Sequence, residues 1–168
     1  SGFSFECNPP AIERCRKNIS KCKLKNKPTL IEKAVWCENT RREFYPIDPK
    51  RTITSHADGN IGASSMFKAN GSYDKIEKYV QNEIEIDCIK LDSFCEENKI
   101  ESIDAIWMDL QGAEYQALCG LGNFLKKVKI IQTELEVRPI YEDQSLFVDA
   151  HSLLIELGFK IIKGDPFP

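Results

Sequence analysis

The chain alternates short apolar runs with stretches in which apolar residues recur every three or four positions. Phe3-Ser4-Phe5, between Gly2 and Glu6, alternates apolar and polar residues with the two-residue period of a strand. Asn8 then stands at a helix-cap position, with Pro9 and Pro10 in the first turn. Ile12, Cys15, Ile19 and Cys22 form one stripe along that helix. Thr29 to Trp36 reads as a second strand and Arg42 to Ile47 as a third. Residues 52–74 are rich in Ser, Asn, Gly and Asp and read as a long loop, of the kind that is functional or mobile.

Ile84 and Ile86 open another strand, and Asp92 caps a short helix reaching Glu97. Ile103 to Met108 is an apolar run of strand length, expected to be buried on both faces and ending at Asp109. Gln111-Gly112-Ala113-Glu114 turns the chain into a helix carrying Leu118, Leu121 and Leu125. Lys129 to Leu135 reads as a strand. Leu146, Ala150, Leu153 and Leu157 mark a last amphipathic helix ended by Gly158, and Phe159 to Lys163 reads as a closing strand. The alternation predicts one α/β domain over residues 1–168, a mostly parallel sheet with helices on both faces. Ligands of such sheets bind at the carboxyl ends of the strands, so the polar residues just after each strand are the candidates for chemistry.

Composition narrows the class. The 42% hydrophobic and 29% charged fractions are those of a globular protein, and no apolar run is long enough to span a bilayer. Seven cysteines, an odd number with no CxxC, read as reduced thiols and point to the cytoplasm. Two histidines without ligand spacing give no reason to expect a metal. The net charge of −3 hides an asymmetry: residues 1–55 carry 12 Lys/Arg against 6 Asp/Glu. Lys21, Lys23, Lys25 and Lys27 read as a solvated helix end and loop rather than as a nucleic-acid patch.

Glu6 follows the first strand, where an acid can accept hydrogen bonds from both ribose hydroxyls of a nucleotide-like cofactor. Asp109 follows the buried strand and can hold a cofactor amino group, position a hydroxyl or cap the next helix. Glu114 enters a helix N-terminus, where negative charge is favoured. Glu134 and Glu136 end the next strand on one face. His56 lies in the polar loop as a candidate general base, and Trp107 reads as core.

The order of segments is more specific than any one of them. Phe5-Glu6-Cys7-Asn8-Pro9, Ala34-Val35, Gly62-Ala63-Ser64-Ser65, Leu91-Asp92, Ile103 through Glu114, Glu134 and Leu157-Gly158-Phe159 together resemble the FkbM-type methyltransferase domain. The most specific piece is Asp109-Leu110-Gln111-Gly112-Ala113-Glu114, which in that family usually reads D-x-E-G-A-E. The resemblance implies a Rossmann-like methyltransferase fold with S-adenosylmethionine as methyl donor. It implies that Glu6 binds the adenosyl ribose, with Asn8, Ala34, Val35, Asp109 and Gln111 also at the cofactor. The acceptor it implies is a hydroxyl on a sugar or small molecule. Two departures stand out: the glycine-rich strand and loop that should precede Phe3 is not in these 168 residues, and Gln111 replaces the usual Glu.

The expected reaction is therefore transfer of a methyl from a sulfonium to an oxygen, with Asp109, Glu134 and His56 as candidate bases in that order. A methyltransferase-like binding module without turnover is the alternative. A nicotinamide dehydrogenase would use the ribose acid equally but gives no role to the segment from Asp109 to Glu114.

Overall fold

A computed structural model of the protein describes residues 2–164. Among the described residues it is a mixed α/β structure of seven strands and four α-helices. The first strand, β1 (Phe3–Phe5), leads into α1 (Pro9–Lys21), followed by β2 (Thr29–Ile31), β3 (Ala34–Trp36) and β4 (Thr40–Phe44). Then come β5 (Ile84–Lys90), α2 (Leu91–Glu97), β6 (Ile103–Met108), α3 (Glu114–Leu121), β7 (Val128–Thr133) and α4 (Phe147–Glu156).

The strands form three small sheets. β1 pairs with β2 in parallel, and the Glu6 N–H extends the ladder to the Ile31 carbonyl. β5 is the middle of the second sheet, parallel to β3 and antiparallel to β4. β6 and β7 pair in parallel, Ile103 opposite Val128 and Met108 opposite Thr133. Among the described residues, β1 and β6 each keep one edge without a strand partner.

Several expectations are corrected. The apolar run from Thr29 to Trp36 is two strands in different sheets, broken at Glu32-Lys33. The strand expected from Arg42 to Ile47 runs instead from Thr40 to Phe44, because its ladder ends opposite Ile84. Lys90 takes the cap position of α2; Asp92 sits in the first turn, accepting from the Ser93 N–H and pairing with Lys90 at 2.7 Å. Phe159 to Lys163 forms no strand. β6 is not buried on both faces: Met108 is buried, but Trp107 is 72% exposed, since no described element lies over that side.

The core is organised by α3. Ala117, Leu118 and Leu121 are fully buried and pack with Val35, Leu91, Cys95, Met108, Leu125, Val128 and Ala150. Burying each large aliphatic side chain stabilises the fold by about 1.5–3 kcal/mol. A second cluster holds Ala34, Trp36, Phe44, Met66, Cys88 and Ala113. Phe94 of α2 meets Phe3 and Phe5 edge-on at 4.9 and 5.1 Å, docking β1 onto the larger core. The stripe of α1 (Ile12, Cys15, Ile19, Cys22) is half-buried, as its spacing requires.

Residues 52–74 are not structureless. A 3₁₀ turn covers Ile61–Ala63, and bridges join Tyr45 to Ser65, Ile53 to Lys78 and Ala69 to Tyr141. Ser65 and Met66 are buried. The segment folds back over the carboxyl ends of β1 and β6 and the start of β3, where it becomes one wall of the cleft described next.

Candidate functional site

A cleft of about 320 Å³ opens at the carboxyl ends of β1 and β6. That volume lies within the roughly 300–1,000 Å³ of small-molecule sites. Its walls are the β1–α1 turn, the start of β3, the polar loop and the turn after β6. All six residues expected at the cofactor line it: Glu6, Asn8, Ala34, Val35, Asp109 and Gln111. Asp109 and His56, two of the candidate bases, line it as well. Glu134 does not; it is exposed beyond β7, with its N–H directed to the Met108 carbonyl.

The β1–α1 turn is built around Glu6. Its Oε1 accepts from the N–H groups of Cys7 and Asn8, each at 2.9 Å. No described side chain or N–H donates to Oε2, which leaves one carboxylate oxygen able to accept from a ligand. Asn8 precedes the first turn of α1, but its side chain makes no capping bond. Its Nδ2 donates instead to Ser64 Oγ at 3.0 Å, and its Oδ1 is buried with no partner among the described residues. A buried amide oxygen left in this state costs about 1–3 kcal/mol unless a donor meets it. Burial, with Glu6 alongside, pushes the neighbouring Cys7 thiol up to about 12, so Cys7 stays neutral.

The turn after β6 is held from beneath. Glu114 is buried, and its two carboxylate oxygens accept from the N–H groups of Leu110 at 2.6 Å and Gly112 at 3.0 Å. Burial pushes its carboxyl up to about 7, against the opposing pull of those N–H groups. Gly112 has φ of +98°, and a Cβ there would press on the Gln144 side chain, so glycine allows the tight turn. Gln111, at φ +51°, donates through Nε2 to Asp109 Oδ1 at 2.7 Å.

The loop wall depends on a residue that sequence reading missed. Glu77 is 7% exposed and accepts from Thr54 Oγ1 at 2.7 Å and Asn60 Nδ2 at 2.6 Å, with His56 Nε2 at 3.4 Å. Burial raises its carboxyl, but hydrogen bonds from Thr54, Asn60 and Tyr79 and the nearby His56 outweigh that and leave it lowered. Glu77 lies in a turn of polar residues and carries no motif, so nothing local marks it. Tyr141 was missed for the same reason: it is 1% exposed and reaches Ala63 and Gln111 from a segment without periodicity. Arg14, Lys33, Asp58 and Asn60 complete the rim, and Arg14 faces Asp58 at 3.7 Å. Among the described residues, no group of three or more His, Cys, Asp or Glu side chains converges as a metal site would require, and no helix is long and apolar enough to cross a membrane.

Comparison with known proteins agrees with this geometry. The sequence profile of the "Methyltransferase FkbM domain" matches residues 3–161. A curated relative, "2-O-methyltransferase NoeI" of Sinorhizobium fredii (strain NBRC 101917 / NGR234), is 31% identical over a region covering 84% of this chain and 56% of the relative. The chain thus spans a little over half the length of that relative. No solved structure matches. With the family profile covering nearly the whole chain, and its segments folding around one cleft, the protein belongs to the FkbM methyltransferase family.

Proposed function

We propose that this chain is the S-adenosylmethionine-binding part of an O-methyltransferase that acts on a hydroxyl of a sugar or other small molecule. The observation that carries the reading is the cleft itself. Six residues from three distant segments converge on it, and one of them, Asn8, has a buried side-chain oxygen with no partner among the described residues. Glu6 Oε2 and Asn8 Oδ1 are hydrogen-bond acceptors, which suits the hydroxyl-rich ribose of the cofactor. When bound, the cofactor supplies an electrophilic methyl on sulfur. Ala34 and Val35 offer apolar wall, and Asp109, which lines the same cleft, is the carboxylate this reading assigns to take the proton of an acceptor hydroxyl. Holding donor and acceptor in line would supply most of the acceleration. His56, oriented by Glu77, is the second base candidate.

The Rossmann-like architecture belongs to the same proposal. β1 and β6 both end at the cleft and both keep an unpaired edge. A parallel strand between them, ending in a glycine-rich loop, would unite the β1–β2 and β6–β7 pairs and close the cleft floor. The relative's printed activity, 2-O-methylation, supports an oxygen acceptor. Seven unpaired thiols support a cytoplasmic setting.

Calorimetry with S-adenosylmethionine tests the reading, on this chain and on the chain extended by its natural upstream sequence. Binding by the extended form that is weakened in Glu6→Ala is the expected result. No binding by either form would overturn it. Binding without transfer to any hydroxyl acceptor would favour the inactive binding module.

A further inference from the structure

A chain of polar contacts runs from the cleft into the protein. Asp109 Oδ1 meets Gln111 Nε2 at 2.7 Å, Gln111 Oε1 meets the Tyr141 hydroxyl at 3.0 Å, and that hydroxyl meets the Ala63 carbonyl at 2.9 Å. The Gln111 backbone is fixed by Ser65 Oγ, which donates to its carbonyl at 2.6 Å. Burial raises the Tyr141 phenol far above its ordinary range, so it keeps its proton.

Counting protons along this chain gives two arrangements. Tyr141 has one proton and faces two oxygens that can only accept, Gln111 Oε1 and Ala63 O. With the amide nitrogen toward a charged Asp109, one of those contacts has no hydrogen in it. With the amide reversed, Nε2 donates to the Tyr141 oxygen and Tyr141 donates to Ala63. Gln111 Oε1 then faces Asp109 Oδ1, and that contact is filled only when Oδ1 carries a proton. The two amide orientations differ by a half-turn with almost no change of shape. The charged carboxylate thus selects one orientation and the protonated carboxyl the other, with every contact filled in the second.

We propose that Gln111 and Tyr141 are positioning residues that make Asp109 a proton acceptor, the Gln111 amide turning over as Asp109 is protonated. Resting on the methyl-transfer reading above, the step balances as follows. The acceptor O–H bond breaks and its proton comes to rest on Asp109 Oδ1. The oxygen pair forms the bond to the methyl carbon, and the sulfur–methyl bond pair returns to sulfur, discharging the sulfonium. A glutamate at position 111, usual in the resembling sequences, would bring a like charge to Asp109 instead of an amide that serves both of its states. Glu136 and Tyr141, from the segments after β7, interact electrostatically with Asp109; Glu134 and Glu114 interact in turn with Glu136 and Tyr141, and Glu6, Arg14, Lys33, His56 and Asp58 line the same cleft.

The test is a pH titration by NMR that needs no cofactor. It follows the Asp109 carboxyl carbon and the Gln111 side-chain amide in the wild-type chain, Tyr141→Phe and Gln111→Met. In the wild type both resonances should move in one shared transition, and Asp109→Asn should remove it from the Gln111 amide. Tyr141→Phe deletes two bonds from the protonated arrangement and one from the charged arrangement, so the transition should move to lower pH by about half a unit to one unit. Gln111→Met deletes two bonds from the protonated arrangement and the bond to the carboxylate from the charged one, and it should uncouple Asp109 from Tyr141, so that Tyr141→Phe no longer moves the transition in the Gln111→Met background. That loss of coupling separates a proton relay from general loosening of the turn, and Tyr141→Phe in the wild-type background remains informative if the Gln111 variant fails to fold. Independent titration of the two resonances, or a Tyr141→Phe shift that persists unchanged in the Gln111→Met background, would overturn the proposal. Failure of S-adenosylmethionine binding would sink the functional reading while leaving this result standing.

Discussion

Asn8 Nδ2 donates to Ser64 Oγ at 3.0 Å, tying the first turn of α1 to the polar loop across the mouth of the cleft. Ser64 Oγ also accepts from the Ile47 N–H at 3.0 Å and donates to the Ile61 carbonyl at 2.7 Å, so its one proton is already committed. Asn8 must therefore present its nitrogen to Ser64, which leaves Oδ1 as the buried oxygen without a partner among the described residues.

Asn8→Asp should be more harmful than its shape suggests. An aspartate has no proton for Ser64 and would place a carboxylate against a hydroxyl oxygen. The expected loss is about 1–3 kcal/mol of stability, read by urea unfolding, together with weakened cofactor binding. Asn8→Ser, which keeps a donor, should recover part of the stability. An Asn8→Asp protein as stable as the wild type would show that the amide orientation is not set by Ser64.

Glu6→Ala leaves the fold of β1 intact but removes the acceptor expected to face the ribose. Affinity for S-adenosylmethionine should fall by about 1–3 kcal/mol, roughly ten- to hundredfold, in a protein form that binds it. Unchanged affinity by calorimetry would take Glu6 out of the site.

Gly120 lies inside α3, where alanine would normally improve helix propensity by about 1 kcal/mol. Here a Cβ would come within 2.3 Å of the Trp36 carbonyl oxygen, which is backbone and cannot swing away. Gly120→Ala should instead destabilise by about 1–3 kcal/mol, seen as a lower urea midpoint. A neutral or stabilising result would mean that α3 and β3 can separate without cost.

Glu77 organises the loop wall, so the wall should be acid-sensitive. Its carboxyl is lowered in the folded state from an ordinary value of 4.5, and its contribution is therefore present above that value and lost as pH falls through the folded one. As pH falls below 4.5, residues 54–60 should lose protection against hydrogen exchange relative to the intrinsic rate while the α3 core stays protected. Glu77→Gln should expose the same segment at neutral pH. Uniform exchange behaviour across loop and core in acid would contradict this role.

Glu114 has the opposite sign. Its carboxyl is raised from 4.5 to about 7, so its stabilising contribution is complete below about pH 4.5 and is lost as pH rises through about 7. The urea midpoint of the wild type should drop across that window, by no more than about 3 kcal/mol in stability. Glu114→Gln should flatten the pH dependence yet lower stability at every pH, because an amide has only one oxygen for the two N–H groups of Leu110 and Gly112. A pH dependence that survives the substitution would have to come from another group, Glu136 being the nearest such candidate.

The sequence by itself determined most of the element order and which residues line one side of the cleft. Short-period alternation marked β1, the three- and four-residue spacing marked α1, and the Asp109 to Glu114 turn was visible because glycine and a helix-entering acid have distinct local preferences. These are nearest-neighbour effects, so they are legible along the chain. Tertiary structure decided what depends on partners far away. It split Thr29–Trp36 between two sheets, because strand pairing is chosen by whichever edge is presented, and it left Phe159–Lys163 without a ladder for the same reason. It exposed Trp107, since apolarity signals burial only where another layer is there to cover it. It removed Glu134 from the cleft and brought in Glu77 and Tyr141, whose positions depend on hydrogen bonds to residues about 20 to 80 places away. Sequence periodicity reports which face a residue presents; it carries no information about which distant acceptor a buried carboxylate or phenol will find.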